Sequence, residues 1–273
     1  MRAQQPNRTG YAVNGGVRIY YEVHGAGPLS VLLVPPWAVT TAGFWKMQVP
    51  FLARHFSVIT YDPRGNGQSD RPADGYAIDD VAGDALAVLD ELAVDRCALV
   101  TVSGGMPPCC FLAAYHPHRV SGLAVVSGSP YDSSTKQQVH EREYRRRRLL
   151  DYFDEWIKGF WARNFPEPHS TKALDDGWEW THQTSPAVVL ASGQGLYTLD
   201  AREVFDRITC HVLLIHGLRE DDLEESFVAH RGLPQSTLVT IVTPGHLPNV
   251  RDPVKVNLLL REFLYQVGAA EAA

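Results

Sequence analysis

The stretch CALVTVSGGMPPCC, residues 97–110, joins a run of buried-type residues to a glycine turn. Its first six residues lack the apolar and polar alternation of half-exposed strands, which indicates a strand buried on both faces. Ser103 follows directly, and small residues around a serine let a strand turn sharply into a helix and lift the hydroxyl clear of the backbone. Ser103 is therefore either a nucleophile at a strand-to-helix corner or a small residue in a tight bend.

Further runs of the same kind predict the other strands of a sheet: SVLLV (30–34), FSVITYD (56–62), GLAVVSG (122–128), HVLLIHG (211–217) and TLVTIVT (237–243). Helical periodicity is clearest at residues 78–94, where the predicted buried face is Val81, Leu86, Leu89 and Leu92. This alternation indicates an α/β fold with a mostly parallel central sheet flanked by helices. The run VRIYYEVHG, which begins at Val17, is compatible with an antiparallel edge strand.

The alternation stops between residues 131 and 206, where the sequence is rich in charged and aromatic residues. A structureless loop of this length is uncommon in a compact domain, so we expect a helical insertion. The predicted division is a core of residues 1–130 and 207–273 and a helical cap, or lid, of residues 131–206. Strands and helices resume after the cap and end in an amphipathic C-terminal helix.

Composition limits the possible partners. The formal net charge of −6 argues against nucleic-acid binding, which needs a basic surface. The four cysteines form no CxxC pair, so we expect neither a zinc site nor disulfides, and reduced thiols fit a cytoplasmic location. No signal sequence or membrane-length apolar run is present, so neither secretion nor membrane insertion is expected. The expected partner is a small-molecule substrate, with no cofactor or metal, and the oligomeric state is left open.

A serine hydroxyl becomes a nucleophile when a base takes its proton and a third group orients that base. In an open parallel sheet such groups follow the carboxyl ends of the strands. His246 follows TLVTIVT and is the predicted base, whereas His216, at the end of its strand, is interpreted as packing. The acid is expected after HVLLIHG, where Glu220, Asp221 and Asp222 are adjacent and at most one can face the histidine.

A tetrahedral oxyanion also needs backbone N–H groups aimed at it. The sequence PPW follows SVLLV at the same edge of the sheet. Pro35 and Pro36 have no N–H to donate, so the predicted oxyanion hole pairs the N–H of Trp37 with that of Gly104, at the start of a helix.

Three segments carry a family resemblance: YDPRGNGQSDRP (61–72), AYHPHRVSGLAVVSG (114–128) and GHLPNVRDPVKVNLLLREFL (245–264). With Ser103, they resemble the cap-bearing α/β-hydrolases, a group that includes esterases, C–C bond hydrolases, epoxide hydrolases and dehalogenases. The resemblance implies Ser103 as nucleophile, His246 as base and an oxyanion hole formed by Trp37 and Gly104. Serine in place of aspartate at the nucleophile position disfavours the epoxide hydrolase and dehalogenase branches.

The sequence departs from this family pattern at two strand ends. Pro35 and Pro36 replace the usual His-Gly, and Thr101 stands where glycine is usual before the nucleophile. The family spacing places the acid at Glu220, while residue type favours Asp221, one residue later. A further option is Asp132, because some relatives take the acid from the segment after the strand GLAVVSG.

These observations favour a serine hydrolase that cleaves an ester, lactone or thioester of a mainly apolar small molecule through an acyl-enzyme. The altered PPW loop and Thr101 motivate an alternative, a lyase, isomerase or epimerase of a biosynthetic pathway, because the same fold carries many chemistries. A non-catalytic small-molecule receptor is the least favoured hypothesis.

Overall fold

The computed structural model describes residues 4–130, 148–196, 199–220, 223–243 and 245–272. Its strands form one eight-stranded sheet in the order β1-β2-β4-β3-β5-β6-β7-β8. The strands are β1 (Arg8–Asn14), β2 (Val17–His24), β3 (Ser30–Val34), β4 (Ser57–Tyr61), β5 (Cys97–Val102), β6 (Val120–Val126), β7 (His211–Gly217) and β8 (Ser236–Ile241). Strands β3 to β8 pair in parallel, and β1 and β2 are antiparallel to their neighbours. The predicted mostly parallel sheet is thereby confirmed.

The helices of the described residues are α1 (Val49–Leu52), α2 (Ile78–Glu91), α3 (Met106–Tyr115), α4 (Phe153–Asn164), α5 (Thr171–Thr181), α6 (Pro186–Leu196), α7 (Leu223–Gly232), α8 (Pro248–Arg251) and α9 (Pro253–Ala272). Short 3-10 turns span Ala42–Trp45, Ser103–Gly105, Pro117–Arg119 and Ala201–Arg207. Among the helices described, none is both long enough and apolar enough to cross a bilayer.

Successive residues of the parallel strands enter opposite halves of the core. Leu99 of β5 and Leu123 of β6 belong to the apolar cluster under α2 and α3. Their neighbours Val100 and Ala124 belong to the cluster covered by α1 and α9. Because both faces of these strands are buried, their sequences show no polar alternation, and apolar burial on both sides stabilises the sheet.

Two local predictions were wrong. The strand β2 is not at the edge, because β1 pairs with it and forms the edge of the sheet. Within β1 the side chains are mostly exposed or half-buried, and Ala12 alone is fully buried, so the strand has almost no hydrophobic pattern. In α2 the buried face is Ile78, Ala82, Ala85, Val88 and Leu89, together with Asp84, while the predicted Val81, Leu86 and Leu92 are half-buried.

In the described part of residues 131–206 the regular structure is helical. Trp161 of α4 and Trp180 of α5 are buried in the cluster that α1 and α9 cover. The indole Nε1 of Trp161 donates to Thr181 Oγ1 at 2.9 Å, and that oxygen lies 3.2 Å from the carbonyl oxygen of Val39, after β3. Helices α4 and α5 therefore contact the loop at the carboxyl end of the sheet. The division into core and cap domains stays a prediction.

Candidate active site

Ser103 lies at the corner between β5 and α3 with φ of +53°, in the left-handed region. A non-glycine residue in this conformation costs about 1–3 kcal/mol and persists where surrounding packing enforces it. The turn Ser103–Gly105 leads directly into α3, whose first turn contains Pro107 and Pro108. Prolines fit there because a first helical turn makes no use of its N–H groups. The strained corner holds the serine at the carboxyl edge of the sheet.

Thr101 replaces the usual glycine without opening the corner. Its hydroxyl is fully buried and donates to the carbonyl oxygen of Val34 on β3 at 3.1 Å. A Cβ at Gly105 would lie 1.9 Å from Thr101 Oγ1 and 3.1 Å from the carbonyl oxygen of Pro35. Thr101 therefore makes glycine obligatory at position 105 and joins the corner to the end of β3.

His246 lies between the serine and an acid. Its Nε2 is 2.9 Å from Ser103 Oγ, and its Nδ1 is 2.9 Å from Glu220 Oε2. A carboxylate can only accept, so this arrangement puts the proton on Nδ1 and leaves the Nε2 lone pair facing the serine hydroxyl. The loop reaches this position through left-handed residues on both sides, Gly245 with φ of +67° and Leu247 with φ of +65°. The three side chains thus form one continuous hydrogen-bonded chain.

Glu220 is held by more than the histidine. Its side chain is 1% exposed, and Oε1 accepts from the Ser127 hydroxyl at 2.6 Å and from the Gly217 N–H at 2.9 Å. Both carboxylate oxygens therefore have donors, which fixes the position of the side chain. The other candidate acids, Asp221 and Asp132, and the neighbouring Asp222 lie outside the described residues.

Two further residues at this edge were missed or given too small a role by sequence reasoning. His216, interpreted as packing, is fully buried with Nε2 3.5 Å from Glu220 Oε2, and its Nδ1 hydrogen-bonds the Ser226 hydroxyl. Ser127 directly follows β6 and adopts φ of +49°. The signal that could have found both is their position, at or just after the carboxyl ends of the parallel strands β6 and β7.

Trp37 and Gly104 line the same cavity as Ser103 and His246. Trp37 is fixed by its ring, whose Nε1 donates to Ser192 Oγ at 2.8 Å. The loop that carries Trp37 is hydrogen-bonded to the segment 61–72. There, Asn66 Nδ2 donates to the carbonyl oxygens of Ala38 and Thr40, each at 2.8 Å. This bracing restricts the motion of a backbone that the sequence predicts to donate to an oxyanion.

The cavity has a volume of about 230 Å³, and most of its lining residues are apolar. Besides the residues named above, its walls include Pro36, Val39, Phe44, Phe160, Trp161, Asn164 and Leu247. Phe160 packs edge to face against Trp37, with ring centroids 5.9 Å apart. Helix α4 supplies Phe160, Trp161 and Asn164, so the predicted cap forms one wall of the site.

The cysteines are poor alternative nucleophiles. Burial raises the pKa of the Cys97 thiol to about 12 and that of Cys210 to about 11, and it also raises the pKa of Cys109 and Cys110. Thiols with such pKa values stay protonated near neutral pH, and the thiolate is the reactive form. Within the described ranges, no cluster of three or more His, Cys, Asp or Glu side chains is arranged to hold a metal ion.

Comparison with known proteins identifies the family. Residues 30–172, just over half of the chain, match the profile of the family described as alpha/beta hydrolase fold. The chain belongs to this family, which confirms the resemblance and the fold class inferred from the sequence.

Individual relatives extend over almost the whole chain. The protein named "Putative carbamate hydrolase RutD" of Serratia proteamaculans is 30% identical over 275 residues, covering 93% of this chain and 98% of the relative. The Karrikin insensitive 2 receptor IA of Petunia hybrida is 24% identical over 270 residues, covering 93% and 97%. The crystal structure of the enol-lactonase from Burkholderia xenovorans LB400 superposes with a TM-score of 0.83 at 21% identity, covering 94% and 100%, and shows the shared fold. The hydrolase names among the relatives support hydrolase activity.

Proposed function

We propose that this protein is a serine hydrolase that cleaves an ester, lactone or thioester of a mainly apolar small molecule through an acyl-enzyme on Ser103. The observation that carries the proposal is the hydrogen-bonded chain from Ser103 Oγ through both nitrogens of His246 to Glu220, with each link 2.9 Å long. This is the arrangement in which a base activates a serine and an acid fixes the tautomer of the base.

In the proposed reaction, Ser103 Oγ bonds to the carbonyl carbon while His246 Nε2 takes the hydroxyl proton. Glu220 stabilises the resulting imidazolium, and the backbone N–H groups of Trp37 and Gly104 stabilise the oxyanion. The C–O or C–S bond then breaks, and His246 returns the proton to the leaving group. Water attacks the acyl-enzyme by the same route, so that the acid product forms and Ser103 regains its proton.

We assign the role of the acid to Glu220. Its support is the direct contact with His246 Nδ1, and the Ser127 hydroxyl, the Gly217 N–H and the His216 imidazole around its carboxylate hold it in place. Glutamate is one methylene longer than aspartate. Its carboxylate can therefore reach back to the backbone N–H of Gly217 and contact His246 at the same time. The roles considered for Asp221 and Asp132 stay predictions.

The proposed substrate is a neutral small molecule, because the cavity walls are aromatic and aliphatic apart from Thr40, Asn164 and the catalytic groups. Residues 131–206 would act as the cap that encloses it. The cytoplasmic location expected from the cysteines stays a prediction.

A second candidate function is small-molecule reception. A relative of nearly the same length bears the name of a receptor, and a triad under a cap is compatible with ligand binding as well as turnover. A lyase, isomerase or epimerase has weaker support, because the Pro35-Pro36 loop and Thr101, which motivate it, leave the hydrogen-bonded chain of Ser103, His246 and Glu220 intact.

Labelling with a fluorophosphonate tests the proposal. We expect the probe to modify the wild type at Ser103 and to leave Ser103→Ala unlabelled, with Ser236→Ala, a change at a serine on β8 remote from the cavity, as the matched control. Release of p-nitrophenol from p-nitrophenyl acetate should follow the same pattern. A folded wild type that the probe does not modify would refute the serine-hydrolase proposal. A single stoichiometric labelling with no turnover of any ester would favour the receptor.

A further inference from the structure

Arg251 ends α8, a few residues after His246, and its side chain is 6% exposed. Its Nε donates to the backbone carbonyl oxygen of His246 at 2.7 Å. The two terminal nitrogens reach the other side of the cavity, where one donates to the carbonyl oxygen of Asn164 and the other pairs with the Glu167 carboxylate. One buried guanidinium therefore joins the loop of the predicted base to the segment predicted to be the cap.

The contacts of Arg251 on the side of the predicted cap are close to the cavity proposed to bind substrate. Asn164 is the last residue of α4 and is among the residues that line the cavity containing Ser103. The ring of the next residue, Phe165, lies under the guanidinium, with its centroid 5.1 Å from Arg251 Cζ. A change in the position of α4 therefore acts on Arg251 directly.

A buried guanidinium depends on every one of these partners. Leaving a buried charge without its counter-ion is strongly destabilising, so Arg251 and Glu167 are expected to move together. The planar fork of arginine also fixes the relative direction of its contacts, which a flexible ammonium would not. If the cap segment moved away from the cavity, the guanidinium would have to leave the His246 carbonyl or lose Glu167.

We propose that Arg251 is a positioning residue that couples the seating of the cap to the position of His246. A substrate that fills the cavity against Asn164 holds α4 in place, and through Arg251 the same contact holds the imidazole at hydrogen-bond distance from Ser103. The kinetic part of this inference rests on the proposed serine-hydrolase function. The structural part, the coupling between the cap segment and the loop 245–251, does not.

The variants are Arg251→Met, which removes the three polar contacts and the charge over the Phe165 ring, and Arg251→Lys, which keeps the charge without the planar fork. Glu167→Gln changes the cap side alone and leaves every atom of the triad in place. Arg261→Met is the matched control, because Arg261 also places a guanidinium over a ring, that of Phe51 at 5.7 Å, away from the cavity. Circular dichroism melting curves show which variants are folded.

The first readout is hydrogen exchange by mass spectrometry on peptides that span residues 245–251, and it requires no activity. We expect faster exchange in both Arg251→Met and Glu167→Gln and wild-type exchange in Arg261→Met. If Glu167→Gln, a change on the cap side, leaves the exchange of this loop unchanged, the coupling is refuted.

The second readout is hydrolysis of p-nitrophenyl acetate. Loss of a charge-assisted hydrogen bond predicts that kcat falls about 10- to 100-fold in Arg251→Met, with partial recovery in Arg251→Lys and a smaller loss in Glu167→Gln. KM should change by less than the loss in kcat. The double variant Arg251→Met/Glu167→Gln should have the same kcat as Arg251→Met alone, because both substitutions disrupt the same set of contacts. Fully additive losses of kcat in the double variant would overturn the coupling. A wild type that neither hydrolyses the ester nor reacts with the fluorophosphonate refutes the proposed function instead. In that case the hydrogen-exchange result alone decides the inference.

Discussion

Replacing Glu220 by glutamine keeps the shape of the side chain and removes its charge, and the structure determines how the amide must sit. Two donors, the Ser127 hydroxyl at 2.6 Å and the Gly217 N–H at 2.9 Å, already face Oε1. The amide oxygen must therefore take the Oε1 position, and the amide NH₂ must take the Oε2 position beside His246. A donor at that point faces Nδ1 and forces the proton onto Nε2, where it faces Ser103.

An imidazole protonated on Nε2 cannot accept the serine proton, so the acylation step loses its base. In serine hydrolases the equivalent loss of the correct tautomer lowers kcat about 10⁴-fold, which corresponds to about 5 kcal/mol of transition-state stabilisation. We therefore expect Glu220→Gln to lose about 10⁴ in kcat while it keeps the wild-type fold. Single-turnover acylation by p-nitrophenyl acetate, followed by the release of p-nitrophenol, measures this step.

The matched control is Asp221→Asn, which removes the charge of the next residue in the sequence and should retain kcat within a few-fold. If Glu220→Gln stays within tenfold of the wild type while Asp221→Asn loses the larger factor, the tautomer argument and the assignment of Glu220 are both wrong. Circular dichroism spectra and thermal melting curves that match those of the wild type exclude misfolding as the cause of a loss.

Three further predictions follow from the same geometry. Ser127→Ala should lower kcat/KM about tenfold, because Glu220 loses one of the donors that hold it, and steady-state kinetics of the folded variant measures this loss. Gly105→Ala should lower the melting temperature by several degrees or prevent folding, since its Cβ would lie 1.9 Å from Thr101 Oγ1, and adding Thr101→Ala should recover part of the loss. Burial raises the pKa of the Cys97 thiol from 9.0 to about 12. The stability that depends on this thiol staying protonated should therefore be fully present below pH 9 and be lost progressively as the pH rises from 9 to 12. By pH 10 the native state should have lost on the order of 1 kcal/mol of stability through this thiol, and urea unfolding should show a smaller loss in Cys97→Ala.

The parallel strands β3 to β7 could be predicted from the sequence because they are buried on both faces, whereas the parallel edge strand β8, predicted to be buried like them, is mostly half-buried or exposed. The unbroken apolar runs of the buried strands, such as SVLLV and CALVTV, coincide with β3 and β5. The edge strand β1 could not be predicted in the same way. It is stabilised by pairing with β2 and by local contacts such as Tyr11 against Tyr20, whose ring centroids are 5.6 Å apart, rather than by burial of an apolar face.

The candidate site was predictable to the extent that it depends on strand ends. Ser103 and His246 follow β5 and β8, and the parallel sheet brings their side chains to hydrogen-bond distance. The position of the Glu220 carboxylate was not predictable, because it depends on the path of the backbone after β7. The contact of the Gly217 N–H with Glu220 fixes that position, and it is a backbone property that residue type does not encode.

The two departures from the family pattern, at Thr101 and at Pro35, are adjacent in space. Val34 pairs with Thr101 in the register of β3 and β5, and the Thr101 hydroxyl bonds the Val34 carbonyl, directly before the two prolines. Gly105 lies against both the Thr101 hydroxyl and the Pro35 carbonyl, and a Cβ at this position would be 3.1 Å from the Pro35 oxygen. The corner that carries Ser103 and the loop that begins at Pro35 are therefore packed against each other through Thr101 and Gly105. Because the altered loop is anchored at its base rather than loosened, these departures give little reason to prefer a non-hydrolytic reaction.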